Sequence, residues 1–591
     1  MQNLSGRRTA LTGSGMMPRR KFIQATSLLG AALFCRPVLA ANGSDRRQVD
    51  VCIYGANSGG IMAAITLARL GRSVLLVEPT RHVGGLTAAG LGWIDYGRAS
   101  AIGGLTGEYF KQVRDYYTAA GIKHNGWSVE PHVAEMLFEK MLAKERIEVV
   151  REARISRAQM DDRRLRSITL DKAPVDPRGA PSAMPLEARF MTVTAGMFLD
   201  CSYEGDLLAL AGVRYRTDRE GVAEYGEKLA GVRYTPPMTD AKAGKTGRQK
   251  NKILKIDPFV RLGDPASGLI PLVAGTQLAP EGSQNPVIQA YNFRLCLTKD
   301  DPIPIAPPAN YDPKQYELFF RYLDSLERVG EPLWTGDLYF NYGHERRYPA
   351  PRLLKITNLM RGKTDVNNAG FISTDYIPGG AEQYAKGDWP MRARIWHAHE
   401  DYQRGLFYYL RTGERLPEWL RREISQWGLP KDEFKDNGGW PTQLYVREAR
   451  RMVGAYVIDQ QHCEHPGSGL DSIGLGSYSL DSHVCQRLVR DGVVIHEGGF
   501  LVHDINRPYP IPYGAITPRP DECENLLVTF CVSSTHVAFA SVRMEPVFMI
   551  LSESAAFAAD QALTEGVSVQ KINLNKFRAR LLAAGQILSS V

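Results

Sequence analysis

The chain has 591 residues, of which 44% are hydrophobic and 23% are charged, and its formal net charge is +8. This composition is ordinary for a globular protein, and the length allows two domains with large cores. Residues 1–40 contain six basic residues and no acidic ones, which leaves only two net positive charges for the rest of the chain. The body of the protein therefore shows no sign of a nucleic-acid partner.

The first forty residues have the pattern of an export signal. Arg19 and Arg20 precede an apolar run at residues 25–35, and small residues at 38–40 offer a cleavage site. Twin arginines before such a run are typical of signal peptides that the twin-arginine translocase recognises, and the run is too short to span a bilayer. We therefore expect a periplasmic or secreted protein, exported in the folded state and without a stable membrane span.

Residues 49–79 have the pattern of a β-α-β unit that binds a dinucleotide. An apolar strand ends at Gly55, a turn of small residues follows, and apolar side chains then recur at helical spacing until Gly71. A second strand ends in Glu78, a carboxylate suited to ribose hydroxyls, and Asn57 replaces the middle glycine of the usual fingerprint. The predicted dinucleotide contacts are Gly55, Asn57, Ser58, Gly59, Gly60 and Glu78.

The segment 81–93 is rich in glycine and is not expected to form a stable helix. A backbone of this kind packs flat against a planar ligand, so Gly84, Gly85 and Leu86 are predicted to contact the ligand. Residues 104–145 interleave apolar and charged side chains and are predicted to be helical.

A meander of strands is predicted next, around the Pro/Gly-rich loop 172–185. The predicted strands are residues 147–157, 165–170, 188–194 and 197–200. The last strand leads into the segment DCSYEGD at residues 200–206. There the chain is predicted to return to the first sheet, with Asp206 beside the ligand.

Residues 215–495 are richer in Pro, Tyr and Trp than the preceding part and have shorter apolar runs, which indicates a substrate-side region. The predicted helices of this region are residues 314–326, 391–412, 417–426 and 444–456.

The last part of the chain returns to a strand and a long helix. Residues 525–530 are predicted to form a buried strand, and residues 531–540 are predicted to form a turn of small residues. A helix is predicted from 543 to 562, with Pro546 in its first turn, where a missing N–H is tolerated. Its positive N-terminal end suits an anionic group of the ligand.

Seven cysteines follow the signal segment, but no C-x-x-C pair occurs, so neither a zinc knuckle nor an iron–sulfur cluster is indicated. The pairs His462/His465 and His397/His399 lack a third ligand at a recognisable spacing, and no metal site is predicted.

Seven segments together resemble the bacterial FAD-dependent oxidoreductases often labelled xanthan-lyase-like. They are residues 55–60, 84–95, 200–213, 444–457, 471–483, 508–518 and 531–546, and the last, CVSSTHVAFASVRMEP, is the most specific. The resemblance implies FAD as the cofactor, a two-domain flavoprotein fold and redox chemistry. It does not identify a substrate.

The combined prediction is an α/β fold with a Rossmann-like FAD-binding domain, similar to glutathione reductase and fumarate reductase, and an inserted α+β substrate domain. The predicted parts are a signal peptide (1–40), two FAD-binding segments (48–214 and 496–570), a substrate-side domain (215–495) and a C-terminal tail (571–591). The glycine-rich loop at 84–93 is then expected beside the isoalloxazine ring, and both non-covalent FAD and a covalent bond at His82 stay open.

Oxidation of an alcohol or amine needs a base for one proton, a role suited to histidine. His536, in the turn before the final helix, is the first candidate, and His483 is the second. Arg447, Arg450 and Arg451 are predicted to lie on one helix, where Arg447 and Arg451 share a face suited to an anionic substrate. Asp206, Arg543 and Glu545 complete the predicted FAD contacts, with Arg543 stabilising negative charge on the reduced flavin.

The leading interpretation is a periplasmic FAD-dependent oxidoreductase that dehydrogenates a polar hydroxylated or amine small molecule by hydride transfer to flavin N5. Its electron acceptor is unknown, and the middle-region aromatics Trp334, Tyr339, Trp389, Trp396 and Trp440 are candidates for stacking on a sugar. The alternatives are a reductase running in the opposite direction, a flavin-containing binding protein, and a lyase of acidic polysaccharides that uses Tyr203, His483 and Arg447.

Overall fold

The structure is a computed structural model, and it describes residues 45–237, 252–330, 353–467, 471–502 and 507–589, together with the backbone of two short strands at 243–244 and 247–248. The predicted signal peptide and the aromatic residues Trp334 and Tyr339 lie outside the described residues.

The strands of the described residues are β1 (Asp45–Tyr54), β2 (Val74–Glu78), β3 (Glu148–Arg151), β4 (Ala153–Asp161), β5 (Arg164–Lys172), β6 (Glu187–Asp200), β7 (Tyr215–Arg216), β8 (Tyr234–Thr235), β9 (Ala243–Gly244), β10 (Gly247–Arg248), β11 (Leu295–Thr298), β12 (Lys355–Asn358), β13 (Lys363–Asn367), β14 (Arg451–Met452), β15 (Ser472–Gly476), β16 (Leu480–Ser482), β17 (Gln486–Arg490), β18 (Val493–Glu497), β19 (Phe500–Val502), β20 (Tyr509–Pro512) and β21 (Leu526–Val528).

The helices are α1 (Ser58–Arg69), α2 (Gly85–Ala88), α3 (Gly104–Ala119), α4 (Pro131–Lys144), α5 (Asp206–Leu210), α6 (Val222–Tyr225), α7 (Glu317–Arg328), α8 (Ala381–Tyr384), α9 (Trp389–Thr412), α10 (Glu418–Ile424), α11 (Gln460–Glu464), α12 (His536–Val542), α13 (Glu545–Glu565) and α14 (Leu574–Ala583).

A seven-stranded sheet organises the fold, with strands in the order β3-β2-β1-β6-β5-β4 and β21 paired to β6. Strands β3, β2, β1, β6 and β21 are parallel, whereas β4 and β5 extend the sheet as an antiparallel meander. The long strand β6 joins these parts, because its first half pairs with β5 and its last residues pair with β21. The α/β fold class predicted from the sequence is confirmed.

Alternation along β1 places its side chains in two cores on opposite faces of the sheet. Val51 and Ile53 belong to the larger core, which includes α1, whereas Cys52 and Tyr54 belong to the smaller core beside the meander. Every residue of β1 from 51 to 54 is fully buried, as expected for a central parallel strand covered on both faces.

Helix α13 packs against α1, so the end of the chain covers the first β-α-β unit. A Cβ atom added at Gly59 would lie 2.5 Å from Ser552 Oγ, which shows how closely the two helices approach. Arg72, just after α1, donates from Nε to Asp560 at 2.6 Å and ties the same two segments together. The final part of the chain is therefore needed to complete the nucleotide-binding region.

The region between α5 and α12 contains small antiparallel sheets and the longest helix, α9. The sheets include β11-β13-β12 and β17-β18-β8, and the helices predicted at 314–326, 391–412 and 417–426 are confirmed within a few residues as α7, α9 and α10. All described residues belong to one compact unit. The predicted domain limits at 215 and 495 stay a prediction.

Four local expectations were wrong. Residues 444–456 contain no helix and instead run extended through β14, with Tyr445 N–H bonded to the Asn292 carbonyl at 2.8 Å. The reason is that every residue from 444 to 452 is buried, whereas a helix that packs with one face would leave some of them exposed. The turn expected at 531–540 ends in α12, whose first N–H groups are capped by Thr535.

The other two differences concern the glycine-rich loop and the meander. Residues 85–88 form the short helix α2, and the segments 188–194 and 197–200 join through Gly196 into the single strand β6. The predicted tail at 571–591 includes α14, which buries Phe577 and Leu581 against the core.

No helix among the described residues combines the length and the apolar character that crossing a bilayer requires.

Candidate active site

The turn after β1 is closed so tightly that only glycine is compatible with it. Gly55 has a φ of +102°, and a Cβ atom at Gly60 would lie 1.9 Å from the Gly55 carbonyl oxygen. Glu78 at the end of β2 accepts a 2.8 Å hydrogen bond from Ala56 N–H, which holds the turn against the second strand. The Asn57 side chain does not cap α1, so the first N–H groups of this helix face the turn without a side-chain acceptor.

The glycine-rich loop lies directly against this turn. Gly84 N–H donates to the Ala56 carbonyl at 2.8 Å, and a Cβ atom at Gly85 would lie 2.6 Å from Asn57 Oδ1. The hydroxyl of Tyr203 accepts from Leu86 N–H at 2.9 Å. The predicted ligand contacts from both segments are thus brought together.

A buried carboxylate connects α1, the loop and α13. Glu545 accepts hydrogen bonds from Ser58 at 2.5 Å, Tyr203 at 2.7 Å and Thr87 at 2.9 Å. Burial raises the pKa of Glu545, and the donated hydrogen bonds oppose this effect. No cation lies within ion-pair distance of Glu545 among the described residues.

Two cavities follow this row of residues and meet at Tyr203. The Glu78 cavity, of about 40 Å³, is lined by Gly55, Asn57, Glu78 and Tyr203 among others. The Arg543 cavity, of about 10 Å³, is lined by Leu86, Tyr203, Arg447, Arg543 and Glu545 among others. Both lie at the carboxyl ends of strands of the main sheet, where open α/β sheets bind ligands.

Arg447 and His483 meet at a shared carboxylate. Asp375 accepts from Arg447 Nη2 at 2.9 Å and from His483 Nδ1 at 2.6 Å. Although burial opposes ionisation, Arg447 and His483 hold the pKa of Asp375 below its usual value. Because the ionised Asp375 can only accept, His483 carries its proton on Nδ1, and Nε2 makes no hydrogen bond to the described residues.

Burial lowers the pKa of His483, and the positive charge of Arg447 acts in the same direction. His483 is therefore neutral near pH 7, with an unprotonated Nε2. Its side chain is 13% exposed, whereas the Asp375 side chain is only 2% exposed.

His536 lies close to the same group but has both ring nitrogens engaged. Nδ1 contacts Glu448 at 2.8 Å and Nε2 contacts Ser482 Oγ at 3.2 Å. Burial opposes ionisation of Glu448, but His536 and Arg451 lower its pKa to about 2. The structure thus places the two predicted catalytic histidines on either side of Ser482, within one hydrogen-bonded group.

The predicted pairing of Arg447 with Arg451 on a helix face was wrong. The segment is extended, so the two side chains point to different partners: Arg447 bonds Asp375, whereas Arg451 bonds Glu220 at 2.6 Å and Glu448 at 2.9 Å. Arg450 bonds Asp206 at 2.9 Å, away from both.

A sequence profile of the family described as FAD dependent oxidoreductase matches residues 50–581. The match extends over most of the chain, including both cavities. The chain belongs to this family. The protein is therefore an FAD-dependent oxidoreductase, and its cofactor is FAD. No curated protein sequence matches the oxidoreductase significantly.

Solved structures resemble only parts of the oxidoreductase. OxyS anhydrotetracycline hydroxylase from Streptomyces rimosus is 14% identical, with 29% of this chain and 38% of that chain covered and a TM-score of 0.19. Thioredoxin reductase from T. acidophilum is 17% identical, with 26% and 35% covered and a TM-score of 0.16.

A third solved structure is 3-ketosteroid-delta4-(5alpha)-dehydrogenase from Rhodococcus jostii RHA1. It is 13% identical, with 29% of this chain and 50% of that chain covered and a TM-score of 0.19. The chain thus spans half or less of the length of these three proteins. At such TM-scores the likenesses carry no argument about the oxidoreductase.

The residues of the two cavities suit FAD. The uncapped N terminus of α1 offers N–H donors to a pyrophosphate, and Glu78 lies where ribose hydroxyls are bound in such units. The Arg543 cavity combines apolar side chains with polar groups, as a flavin ring requires. Leu86 lines the Arg543 cavity, and Gly85 lies against Asn57, which lines the Glu78 cavity. Contact of this loop with the flavin ring stays a prediction.

Asp206, a predicted FAD contact, and His82, for which a covalent bond to FAD was left open, have other partners in the structure. Asp206 lines the Glu78 cavity, but its carboxylate is bonded to Arg392 at 2.6 and 2.7 Å and to Arg450. The imidazole of His82 bonds Glu135 at 2.8 Å and Asp436 at 3.1 Å. Both side chains stabilise the surroundings of the site in this structure.

Several site residues were not found from the sequence. Asp375 and Arg294 lie in segments with no recognisable motif. Tyr445 and Glu448 lie in the resembling segment 444–457 but were not predicted as site residues, and only the fold brings all four to the histidines. Glu448, next to Arg447, is the one that a signal could have revealed, because a charged run inside a buried segment requires partners.

A carboxylate–histidine group of Glu130, His132, Asp432 and Glu433 has ligand atoms close enough to hold a metal. Lys363 Nζ, however, already contacts three of the carboxylates, at 2.9 Å, 2.6 Å and 2.6 Å. Neither histidine pair noted in the sequence belongs to this group: His397 bonds Asp176, and His399 bonds the Ile395 carbonyl.

Proposed function

We propose that the protein is a periplasmic FAD-dependent dehydrogenase that oxidises a polar hydroxylated or amine small molecule. The observation that carries this proposal is His483, a neutral imidazole whose Nδ1 bonds Asp375 and whose Nε2 has no partner among the described residues. Asp375 joins His483 to Arg447, which lines the Arg543 cavity. When bound, FAD supplies an acceptor for a hydride at N5. The chain must then supply a base for the second hydrogen of the substrate, and this is the role of a positioned histidine.

In this proposal His483 Nε2 takes the proton from the substrate hydroxyl or ammonium group. Asp375 holds the imidazole in the tautomer that exposes Nε2 and stabilises the positive charge that follows protonation. Arg447 fixes Asp375 from the other side. The site of proton transfer is therefore oriented by two buried residues before substrate arrives.

His536 is the less suitable base, which reverses the order expected from the sequence. Glu448 and Ser482 satisfy both of its nitrogens, and the side chain is buried. Its contact to Ser482 positions the segment that carries His483, so we assign it a positioning role.

The lyase alternative has less support. Burial, and next to it the charge of Glu545, raise the pKa of Tyr203 well above its usual value, and its hydroxyl is already bonded to Glu545. A tyrosine in that state is a poor base. Membership of the xanthan-lyase-like subgroup stays a proposal that rests on the sequence segments alone.

Reduction in the opposite direction uses the same groups, with protonated His483 as the acid. Export by the twin-arginine translocase, and hence the periplasmic location, rests on residues 19–40 of the sequence.

The proposed activity is tested by the visible spectrum of the purified holoprotein under anaerobic conditions. A panel of sugars, sugar acids and amines is added, and bleaching of the flavin band by one class is expected. His483→Gln should retain FAD but slow the bleaching by about 10²–10⁴-fold, the usual contribution of a general base. His465→Gln is the matched control, because His465 is exposed and its ring makes no hydrogen bond to the described residues.

Three outcomes contradict the proposal. Unchanged bleaching in His483→Gln removes this residue from the chemistry. A band that no substrate bleaches, but that dithionite reduces and an added oxidised acceptor restores, favours the reductase direction. Release of an unsaturated uronate from an acidic polysaccharide without flavin reduction favours the lyase.

A further inference from the structure

Three arginines surround one tyrosine beside the Arg543 cavity. The guanidinium carbons of Arg294, Arg447 and Arg543 lie 5.9, 4.6 and 5.9 Å from the centre of the Tyr445 ring. All three side chains are buried, with exposed fractions of 4%, 1% and 5%. Guanidinium groups that are buried so close together require anions, because removing a charge from water costs free energy unless the charge is paired.

The carboxylates within reach do not balance these charges. Arg294 is neutralised by Asp365 through hydrogen bonds of 2.9 and 2.5 Å. Arg447 pairs with Asp375, which also bonds the neutral His483. Arg543 forms no ion pair with a described residue: it donates to the Tyr445 hydroxyl and to the Asp481 carbonyl, both at 2.8 Å.

Two of these arginines also keep unpartnered donors at the cavity. Arg447 and Arg543 line the Arg543 cavity, and the Nε atom of each is buried without a hydrogen-bond partner among the described residues. Burial lowers the pKa of Arg447, and the charges of Arg543 and Arg294 act in the same direction against Asp375. Two guanidinium groups with unpartnered Nε donors therefore lie on one wall of the cavity. Burial opposes the charge of Arg543, whereas Tyr445, Asp481 and Asp95 raise its pKa without an ion pair to either carboxylate.

The other charged groups that line the cavity do not supply the missing anion. Glu448 is bonded to Arg451 and His536, so its carboxylate already has partners other than Arg543. Glu545 accepts hydrogen bonds from three hydroxyl groups, which occupy its carboxylate, and burial raises its pKa. Neither carboxylate forms an ion pair with Arg543 within the described part of the chain.

We propose that Arg447 and Arg543, together with Tyr445, bind the carboxylate of the substrate, so that the oxidised small molecule is a hydroxy or amino acid, such as a sugar acid. This inference rests on the proposed dehydrogenase function and specifies its substrate class. Guanidinium groups match carboxylates in geometry and charge, and Tyr445 holds Arg543 in place through its hydroxyl. Binding of the carboxylate here positions the remainder of the molecule near His483, which Asp375 connects to Arg447.

The test measures binding to the holoprotein by isothermal titration calorimetry. The probes are matched pairs: D-gluconate with D-sorbitol, and D-glucuronate with D-glucose. We expect each acid to bind roughly 10- to 100-fold more tightly than its neutral counterpart, the contribution of hydrogen bonds to a charged group. Arg543→Gln should remove this advantage and leave the affinity for the neutral compounds unchanged.

Two further variants keep the test decisive. Arg543→Lys retains the positive charge but loses the planar guanidinium group. Tyr445→Phe retains the aromatic ring but removes the hydroxyl that accepts a hydrogen bond from Arg543. Both should reduce the preference for acids several-fold even if Arg543→Gln fails to fold. Arg422→Gln is the control, because its side chain is 71% exposed on α10.

The proposal is overturned if the acids do not bind, if neutral compounds bind as tightly, or if all Arg543 and Tyr445 variants keep the preference. It is also overturned if Arg543→Gln leaves acid binding intact and lowers only the reduction potential of the flavin, because Arg543 then serves the cofactor. Flavin bleaching by neutral sugars alone leaves the dehydrogenase but refutes the substrate class. Arg543-dependent acid binding without any bleaching supports the substrate class and refutes the direction of the reaction.

Discussion

At the scale of single residues, the site depends on one carboxylate that is shared by two side chains. Asp375 orients His483 and fixes Arg447, so one buried charge sets both the tautomer of the base and the position of an arginine. The sequence ranked His536 above His483, and it could not show which ring nitrogen is left unbonded, on which the choice depends. The arginine motif at 447–451 was found from the sequence, but its carboxylate partners Asp375, Asp206 and Glu220 were not, since they come from three other segments.

Replacement of Arg447 by Gln should move the acid limb of the pH profile. Burial and Arg447 both lower the pKa of His483 below the usual 6.5, so base activity is present above this lowered value and is lost as the pH falls through it. Without Arg447 the pKa of His483 rises, and the acid limb of kcat/KM should shift to higher pH. The measurement is the rate of flavin reduction against pH with any bleaching substrate.

Arg422→Gln is the control variant and should leave the acid limb of the kcat/KM profile in place. The FAD content confirms that each variant is folded. A limb that stays fixed, or moves to lower pH, in Arg447→Gln would show that His483 is not the titrating base.

At the scale of elements, the two ends of α1 show how glycine is used for two different reasons. Gly60 is required by packing, because its Cβ would collide with the Gly55 backbone. Gly71 has a φ of +81° but open space around it, so only its backbone conformation favours glycine. The sequence predicted Gly71 as the C-terminal cap of this helix, but it assigned Gly60 to contact with the pyrophosphate rather than to packing.

Gly60→Ala and Gly71→Ala should therefore differ sharply. Gly71→Ala should cost about 1 kcal/mol from the left-handed conformation and keep full FAD content. Gly60→Ala should displace the turn, lower the melting temperature by much more and lose most of the FAD. Thermal unfolding and the ratio of flavin to protein absorbance measure both effects, and equal behaviour of the two variants would refute the packing argument.

At the scale of the whole molecule, the cofactor site needs both ends of the chain. Strand β21 pairs with β6, α13 packs on α1, and residues from Phe530 to Phe548 line the Arg543 cavity, so this cavity is complete only after the start of α13 has folded. Export by the twin-arginine translocase, as proposed, would carry the protein in this folded state. The seven cysteines of the described residues are all buried free thiols, and burial raises the pKa of Cys52 and Cys201 to about 12.

Exchange of Arg19 and Arg20 for lysines should keep the protein in the cytoplasm with FAD bound, because twin arginines are the recognised signal. Wild-type protein should be periplasmic and lack Cys35 after cleavage. Titration of thiols should then give seven per exported chain and eight per retained precursor, all only after denaturation. Fast labelling of the native exported protein, or export of the twin-lysine variant, would contradict this view.

The sequence by itself determined the β-α-β unit and the long helices α9 and α13, because their signals are local: glycine spacing, helical periodicity and caps within one segment. The resemblance of seven segments to a known family added FAD as the cofactor. Only the tertiary structure decided the extended path of residues 444–452 and the meeting of Arg447, Asp375 and His483. The physical reason is burial of charge, which is costly unless the charge is paired. Here Asp375 lies 72 residues from Arg447 and 108 residues from His483 along the chain.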